Sequence, residues 1–458
     1  MTGLPLVAGD LDAPLAWRSG RPLSRRRYLA DVQTLASQLP AQGPMLNITE
    51  DRYLFAVGLG AAMLRGQYNL MPPTHTPDTV ERLRKRYPTA YAMSDGDAAS
   101  HAMPVVRFTP RDDAPLPDAA PLIDGTATTA LVLTSGSTGE PQPHIKQWGA
   151  QHLAMDVGSR RLARDMGLQS LAGVTLVATV PAQHMYGFES TVLIAMLSGA
   201  SFDAERPFFP ADIVAALQRA ARPRMLVTTP FHLKMLLDAG LALPPVDLVL
   251  CATAPLSPQL AQRAEGMLEG PLIEIYGCTE AGQVATRRTT AGAQWQTYDG
   301  LHITGNGEHA LAVGAHVLAP TPLADVLDVI DPSTFLLLGR SNDLINIAGK
   351  RNSIGHLNYH LNSIAGVQDG AFWLPPDDDE ANAGVVRLVA FVVAPGIAPD
   401  DLRPQILAAM RQRVDPAFLP RRIVAVDVLP REPGTGKLPA TRFAEWAQAQ
   451  LQRHGAGG

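Results

Sequence analysis

The chain has 458 residues, which at roughly 100–200 residues per domain implies about two to four domains. Hydrophobic residues make up 46% and charged residues 18%, enough for sizeable cores and too apolar for a mostly disordered chain. The net charge of −5 argues against a nucleic-acid partner, and two cysteines, Cys251 and Cys278, exclude a disulfide framework or a four-cysteine zinc site.

No basic stretch followed by an apolar core opens the sequence. The longest apolar run, 53–64, is too short to span a bilayer and reads as a buried helix. The expectation is a cytoplasmic protein with no membrane span. Lysine is scarce, five among the 38 basic residues, so a lysine in an unusual loop is informative.

No internal repeat is visible. The first 100 residues alternate helix-like and strand-like segments. A helix is predicted at 51–65. Another opens at Thr76-Pro77, with Thr76 as N-cap and Pro77 in the first turn, and runs to about Tyr87. The Pro- and Asp-rich stretch 109–120 reads as a surface connector. Strands are predicted at 128–133, 174–180, 224–229, 246–251 and 271–275. Helices are predicted at 147–166, 188–198, 211–221, 230–239 and 257–268. This alternation argues for βαβ units, and hence an α/β fold with a mostly parallel sheet and ligands at the carboxyl ends of its strands. After about residue 340 the pattern changes to a small α+β unit: strand, acidic loop at 377–380, strand, a helix near 400–413 and a strand near 423–429. A large domain over 1–340 and a small one over 343–458, joined by a hinge near 340–343, are expected.

Four loops carry chemistry. Thr134-Ser135-Gly136-Ser137-Thr138-Gly139 follows a predicted strand and offers unobstructed N–H groups and hydroxyls suited to phosphate oxygens. It is not a Walker A loop, because no Gly-Lys-Ser/Thr ends it. Tyr276-Gly277-Cys278-Thr279-Glu280 ends another strand and combines an aromatic face, a hydroxyl and a carboxylate able to hold a metal. In Gly339-Arg340-Ser341-Asn342-Asp343, Arg340 lies 15 positions after Asp325, and the two together suit a ribose diol. In Gly434-Thr435-Gly436-Lys437, a lysine rides on a flexible loop. Taken singly, each is also the pattern of an ordinary surface turn.

In this order, and with Cys251-Ala252-Thr253-Ala254-Pro255 between the first two, the loops resemble the adenylate-forming superfamily of acyl- and aryl-CoA synthetases, luciferases and peptide-synthetase adenylation domains. The resemblance covers roughly residues 40–445. It implies that ATP and a carboxylic acid form an acyl-adenylate and pyrophosphate, which a thiol then attacks. It assigns residues 134–139 to the phosphates, Ala252, Thr253, Ala254, Tyr276 and Gly277 to the adenine side, and Thr279 to the α-phosphate. It assigns Glu280 to Mg²⁺ and Asp325 with Arg340 to the ribose. Lys437 becomes the catalytic cation, carried in a mobile C-terminal lid that turns at Asn342. His184 matches a gate between the acid pocket and the thiol tunnel.

Three positions depart from the family pattern. Gln142 stands where a lysine usually follows the phosphate loop, with Lys146 as an alternative supplier of the charge. Asn342 and Asn346 replace more usual charged residues. The acid pocket is expected between 184–189, 228–231, 252–254 and 276–284, with His184, Tyr186, Gly187, Phe231 and Gly282 against the substrate. Its bulky side chains suggest a short, flat pocket for an aromatic acid. The compact chain most resembles aryl-acid ligases of aryl-polyene and xanthomonadin-type pigment pathways. That implies a hydroxybenzoate such as 4-hydroxybenzoate or 3-hydroxybenzoate, and the phosphopantetheine thiol of an acyl carrier protein as acceptor. Free coenzyme A is the alternative acceptor, and a non-catalytic nucleotide-binding relative is the alternative class.

Overall fold

The computed structural model describes residues 3–96, 103–135, 141–340, 344–347, 350–375, 388–432 and 438–455. Its centre is an eleven-stranded sheet. Strands Thr175–Ala178, Arg224–Thr228, Leu248–Cys251 and Leu272–Cys278 run parallel through the middle. Such strands are covered on both faces, which explains their nearly unbroken apolar sequences. Side chains alternate between the faces. Leu226, Val249 and Leu272 meet Ile213, Leu233 and Ala261 of the helices Pro210–Arg219, Pro230–Asp238 and Pro258–Leu268. Val227, Leu250 and Ile273 point the other way, into the largest core, with Phe55, Trp148 and Phe188. Each of the three helices carries proline in its first turn, and Thr229 and Ser257 cap two of them.

The strand expected at 128–133 belongs to a second sheet of six strands, where Thr128–Ser135 lies between Asn69–Met71 and Pro141–Gln147. The helix Trp148–Asp165 follows this sheet and packs into the main core. Thr76 caps its helix as expected, accepting from the Thr79 N–H, and the helix Arg52–Leu64 is capped by Asp51.

Two expectations need correction. The helix foreseen over 188–198 is three pieces: a turn at Met185–Gly187, a π-helical stretch Phe188–Leu193, and Ile194–Ser198. π-helical stretches of this kind recur at functional sites. The region from 282 to 340, left without strands by the sequence reading, is almost entirely antiparallel sheet. It adds Gly282–Arg288, Gln294–Thr297, Thr334–Arg340 and Asp325–Asp331 to one side of the large sheet. The strands Leu301–Thr304, Leu311–Gly314 and Val317–Pro322 form a small sheet of their own. Many of these strands are four residues long with alternate residues exposed, so the apolar runs that mark buried strands are missing.

Beyond residue 350, a three-stranded sheet (Asp369–Trp373, Val389–Val393, Arg422–Ala425) packs with the helices Ile354–Asn362, Pro399–Arg411 and Ala440–Gly455 around separate cores. The acidic 377–380 segment and the hinge positions 341–343 lie outside the described residues. Among the described residues, no helix is long and apolar enough to cross a membrane.

Candidate active site

Of the segments singled out from the sequence, Cys251–Pro255 and Tyr276–Glu280 lie at the carboxyl ends of the parallel strands. Thr228, Cys251 and Cys278 end three successive strands there, and the residues that follow the first two, Thr229–Phe231 and Thr253–Pro255, line one cleft. Arg52 fixes one border of this region. It is buried, and its guanidinium donates to the carbonyls of Ala178 (3.3 Å), Val180 (2.8 Å), Asp203 (2.8 Å) and Glu205 (2.9 Å). It thereby holds the exit of the strand that leads to His184. The sequence reading missed Arg52; an arginine opening an otherwise apolar helix was the available signal.

Tyr276 is buried, with its ring 5.8 Å from that of Trp295 and 5.6 Å from that of Phe335. Its hydroxyl donates to Asp325 Oδ2 at 2.9 Å. Asp325 faces Arg340 directly across the antiparallel pair. An aromatic, an acid and an arginine position far apart in sequence therefore meet at one corner. The chain bulges between Tyr276 and Gly277. A Cβ on Gly277 would lie 2.4 Å from the Gly282 carbonyl oxygen, so no side chain fits there. Thr253 adopts φ +84°, a left-handed conformation strained for a β-branched residue. It sits directly after Ala252, at a strand end, where such strain often accompanies binding. Thr253, Ala254 and Phe231 line a cleft of about 900 Å³ that also touches Tyr359 and Arg431 of the C-terminal unit.

Thr134 ends its strand with its hydroxyl 3.0 Å from His144 Nε2, which lies 3.6 Å from Glu280 Oε1. The first and second loops are thus adjacent. Gly136, Ser137, Thr138, Gly139, Asn342 and Lys437 lie outside the described residues, as do the side chains of Ser135 and Arg340. Among the described residues no three His, Cys, Asp or Glu side chains cluster as a metal cage. A lone, half-exposed Glu280 still suits Mg²⁺, which commonly takes one or two carboxylates and completes its shell with phosphate oxygens and water.

Lys146 is not spare for phosphate. It is buried, and its ammonium donates to the carbonyls of Thr279 (2.5 Å) and Glu280 (3.3 Å). It pins the loop that presents those two residues. Burial lowers its pKa, against the raising pull of Glu189.

On the acid side, Tyr186 spends its hydroxyl on the carbonyls of Leu250 (2.9 Å) and Thr228 (3.2 Å), bracing two strand ends. A Cβ on Gly187 would lie 2.0 Å from the Pro181 carbonyl oxygen, so backbone packing alone demands glycine there. His184 is exposed at the start of the turn. Gly282 adopts φ +76°, and a Cβ there would meet Glu189 Oε1 at 3.0 Å. Sequence reading placed Glu189 only at the pocket's edge. It is buried in the π-helical stretch, and burial pushes its carboxyl up to about 7, partly offset by Lys146. With Lys146, Gln151, Gly282 and His316 it lines a cavity of about 210 Å³. Burial drives His316 down to about 4, so it is neutral at physiological pH.

With this geometry in hand, comparison with known proteins identifies relatives. The family model for AMP-binding enzymes matches residues 45–316. A 4-coumarate–CoA ligase from Rhodobacter capsulatus is 30% identical over 294 residues, 64% of this chain and 70% of the relative. A 4-chlorobenzoate–CoA ligase from an Arthrobacter species is 27% identical over 173 residues, 34% of this chain and 32% of the relative. Apo MatB from Rhodopseudomonas palustris superposes with a TM-score of 0.77 at 17% identity, covering 96% of this chain and 97% of that one. The anthranilate CoA ligase AuaEII, solved with anthranoyl-AMP, gives 0.75 at 15% identity, covering 98% and 99%. At these identities the structures establish a shared α/β architecture of a large sheet domain with flanking helices and a smaller C-terminal unit.

Proposed function

The chain belongs to the AMP-binding enzyme family and is an adenylate-forming ligase that uses ATP, and from that premise we propose that it activates an aromatic carboxylic acid and passes the acyl group to a phosphopantetheine thiol. The observation that carries this reading is the corner where the Tyr276 hydroxyl meets Asp325, opposite Arg340 and at the head of the loop ending in Thr279 and Glu280. Tyr276 there borders the adenine, Asp325 accepts from the ribose hydroxyls, and Thr279 contacts the α-phosphate. Glu280 would hold Mg²⁺, whose charge offsets that of the phosphates.

In the first step a carboxylate oxygen of the acid attacks the α-phosphorus, and the bond to pyrophosphate breaks. Two anions approach each other, so a preorganised cation stabilises the transition state more than the ground state. Lys437 supplies it, carried in by rotation near Asn342. In the second step the thiol sulfur attacks the acyl carbon and AMP leaves with the bonding pair. The lid then carries Lys437 away and leaves the cleft beside Phe231 and Tyr359 to the pantetheine arm.

The names of the sequence relatives, 4-coumarate–CoA ligase and 4-chlorobenzoate–CoA ligase, support a ring-bearing acid and coenzyme A as the thiol. An acyl carrier protein, as in aryl-polyene and xanthomonadin-type pathways, is the second reading. A hydroxybenzoate is the substrate class we place first.

Pyrophosphate release measured across aromatic and aliphatic acids tests the reading. Release is expected to depend on a benzoate-type acid, and Lys437→Ala is expected to lower it at least about 100-fold. Adenylation at an unchanged rate in that variant would refute the assigned role. Thioester formation with coenzyme A or with a phosphopantetheinylated carrier then separates the two acceptors.

A further inference from the structure

The first helix of the C-terminal unit, Ile354–Asn362, carries two histidines four positions apart, His356 and His360. That spacing sets them one turn apart on the same side of the helix. Their ring centroids lie 4.4 Å apart with the planes at 81°, and the two Nε2 atoms are 3.0 Å from each other. Ser353 caps this helix by accepting from the His356 N–H at 3.0 Å, and its hydroxyl donates to the Leu338 carbonyl in the strand Thr334–Arg340. The pair therefore sits where the small unit meets the large one.

Hydrogen bonding fixes the protons. Asn352 Oδ1 accepts from the Ser353 N–H at 2.8 Å, and the same oxygen lies 2.8 Å from His356 Nδ1. Nδ1 of His356 therefore carries that ring's proton, and the lone pair on its Nε2 faces His360. An acceptor on the far nitrogen is the usual device that orients a metal-ligating histidine. Burial lowers the pKa of His356, and burial, His356 and Arg413 together bring His360 down to about 4. At neutral pH both rings are therefore already in the uncharged form that binds a metal. Both residues remain partly exposed, so water reaches the pair.

The distance between the two nitrogens selects a geometry. Two nitrogens each about 2.0–2.1 Å from one ion lie about 2.9 Å apart at a right angle and about 3.3 Å apart at a tetrahedral angle. The observed 3.0 Å matches the edge of a tetragonal or octahedral shell. Imidazole nitrogen suits copper, nickel and zinc, whereas Mg²⁺ takes oxygen. Among the described residues no group of three His, Cys, Asp or Glu forms, so water completes the shell. The charge of Arg413 weakens the site for every cation alike. We propose that His356 and His360 form a two-histidine chelate for a tetragonal divalent transition ion, Cu²⁺ before Ni²⁺. On binding, the Nε2 proton of His360 leaves to solvent and its Nδ1 takes one up. One N–H···N hydrogen bond is thereby replaced by two metal–nitrogen bonds with no net proton release. The site goes beyond the ligase reading and does not depend on it.

The test titrates the full chain with Cu²⁺ at neutral pH by calorimetry and records the electron paramagnetic resonance spectrum of the loaded protein. Wild type is expected to show two equatorial nitrogens at one equivalent of Cu²⁺. His360→Gln keeps an amide donor for His356 Nε2, so it preserves the hydrogen bond and removes only the second ligand. It is expected to melt like wild type without metal, to bind Cu²⁺ at least about tenfold more weakly, and to lose one nitrogen from the spectrum. Asn352→Ala, which frees the His356 ring, is expected to weaken binding about tenfold with both nitrogens retained. Excess Mg²⁺ is expected not to compete. An affinity unchanged in His360→Gln, a wild-type spectrum with fewer than two nitrogens, or displacement of Cu²⁺ by Mg²⁺ would each overturn the inference and leave the pair as a hydrogen bond alone. The wild-type spectrum decides the matter even where a variant fails to fold.

Discussion

The two ends of the 276–282 loop are built on opposite principles. At its start, Tyr276 is wedged between Trp295 and Phe335 and its hydroxyl is already bonded to Asp325. At its end, Glu280 and Gly282 border a cavity beside Gln151, whose buried amide has no partner among the described residues, and burial holds Glu189 near 7 and His316 near 4. The first end is the more finished wall, with Tyr276 both packed and hydrogen-bonded. The second is an unfinished one, with buried polar atoms that have no partner among the described residues. A satisfied polar group is part of the scaffold, whereas an unsatisfied buried one calls for a water, an ion or local strain to explain it.

The largest effect is expected from Arg52, another buried and hydrogen-bonded group at the strand ends. Its guanidinium serves four carbonyls, so Arg52→Met removes them all at once and leaves them buried. Each unpaired buried acceptor costs about 1–3 kcal/mol, and with relaxation the total is expected to reach about 3–5 kcal/mol. Denaturant unfolding checks this. A loss below about 1 kcal/mol would show that these carbonyls find other partners, and the contrast between the two regions would weaken.

How much of this was legible follows from the same contrast. The parallel strands announced themselves as apolar runs because both their faces are buried, and Thr76-Pro77 announced its helix by capping chemistry. The antiparallel strands of 282–340 did not, because alternate residues face solvent in strands as short as four residues. Tyr276, Asp325 and Glu280 were legible through their motifs, although nothing in the residues themselves foretold the hydrogen bond between Tyr276 and Asp325 across 49 positions. Gln151 and His316 were not legible at all: each is an ordinary polar residue whose meaning comes only from lying buried against a cavity. Lys146 stood out only as an alternative source of the charge missing at Gln142, and its ammonium donates to the Thr279 and Glu280 carbonyls.

The unfinished side carries a pH signature. Glu189 is raised from its ordinary 4.5 to about 7 by burial. A carboxyl with a raised pKa in the fold is harmless below about 4.5, where it is neutral in both states. Its cost grows as pH rises and is complete above about 7. Glu189→Gln removes that titration. The stability of the variant relative to wild type is therefore expected to improve by roughly 2–4 kcal/mol between pH 4.5 and 8. The pull of Lys146 on the carboxyl is already contained in the value of about 7. Parallel curves for the two proteins would mean that Glu189 is ionised at little cost and that its end of the loop is already satisfied.

The smallest effect sharpens the finished side. Tyr276→Phe keeps the ring between Trp295 and Phe335 and deletes only the hydroxyl that reaches Asp325. One hydrogen bond of this kind is worth about 1 kcal/mol, so a modest loss of stability is expected. If Asp325 is held in place for the ribose by this bond, KM for ATP rises about three- to tenfold while kcat changes little, because the contact is the same in ground and transition states. The relative binding of different aromatic acids is expected to stay at the wild-type value. A Tyr276→Phe protein that changed acid preference as much as ATP affinity would show that the loop transmits strain from end to end, and its two ends could no longer be treated as separate devices.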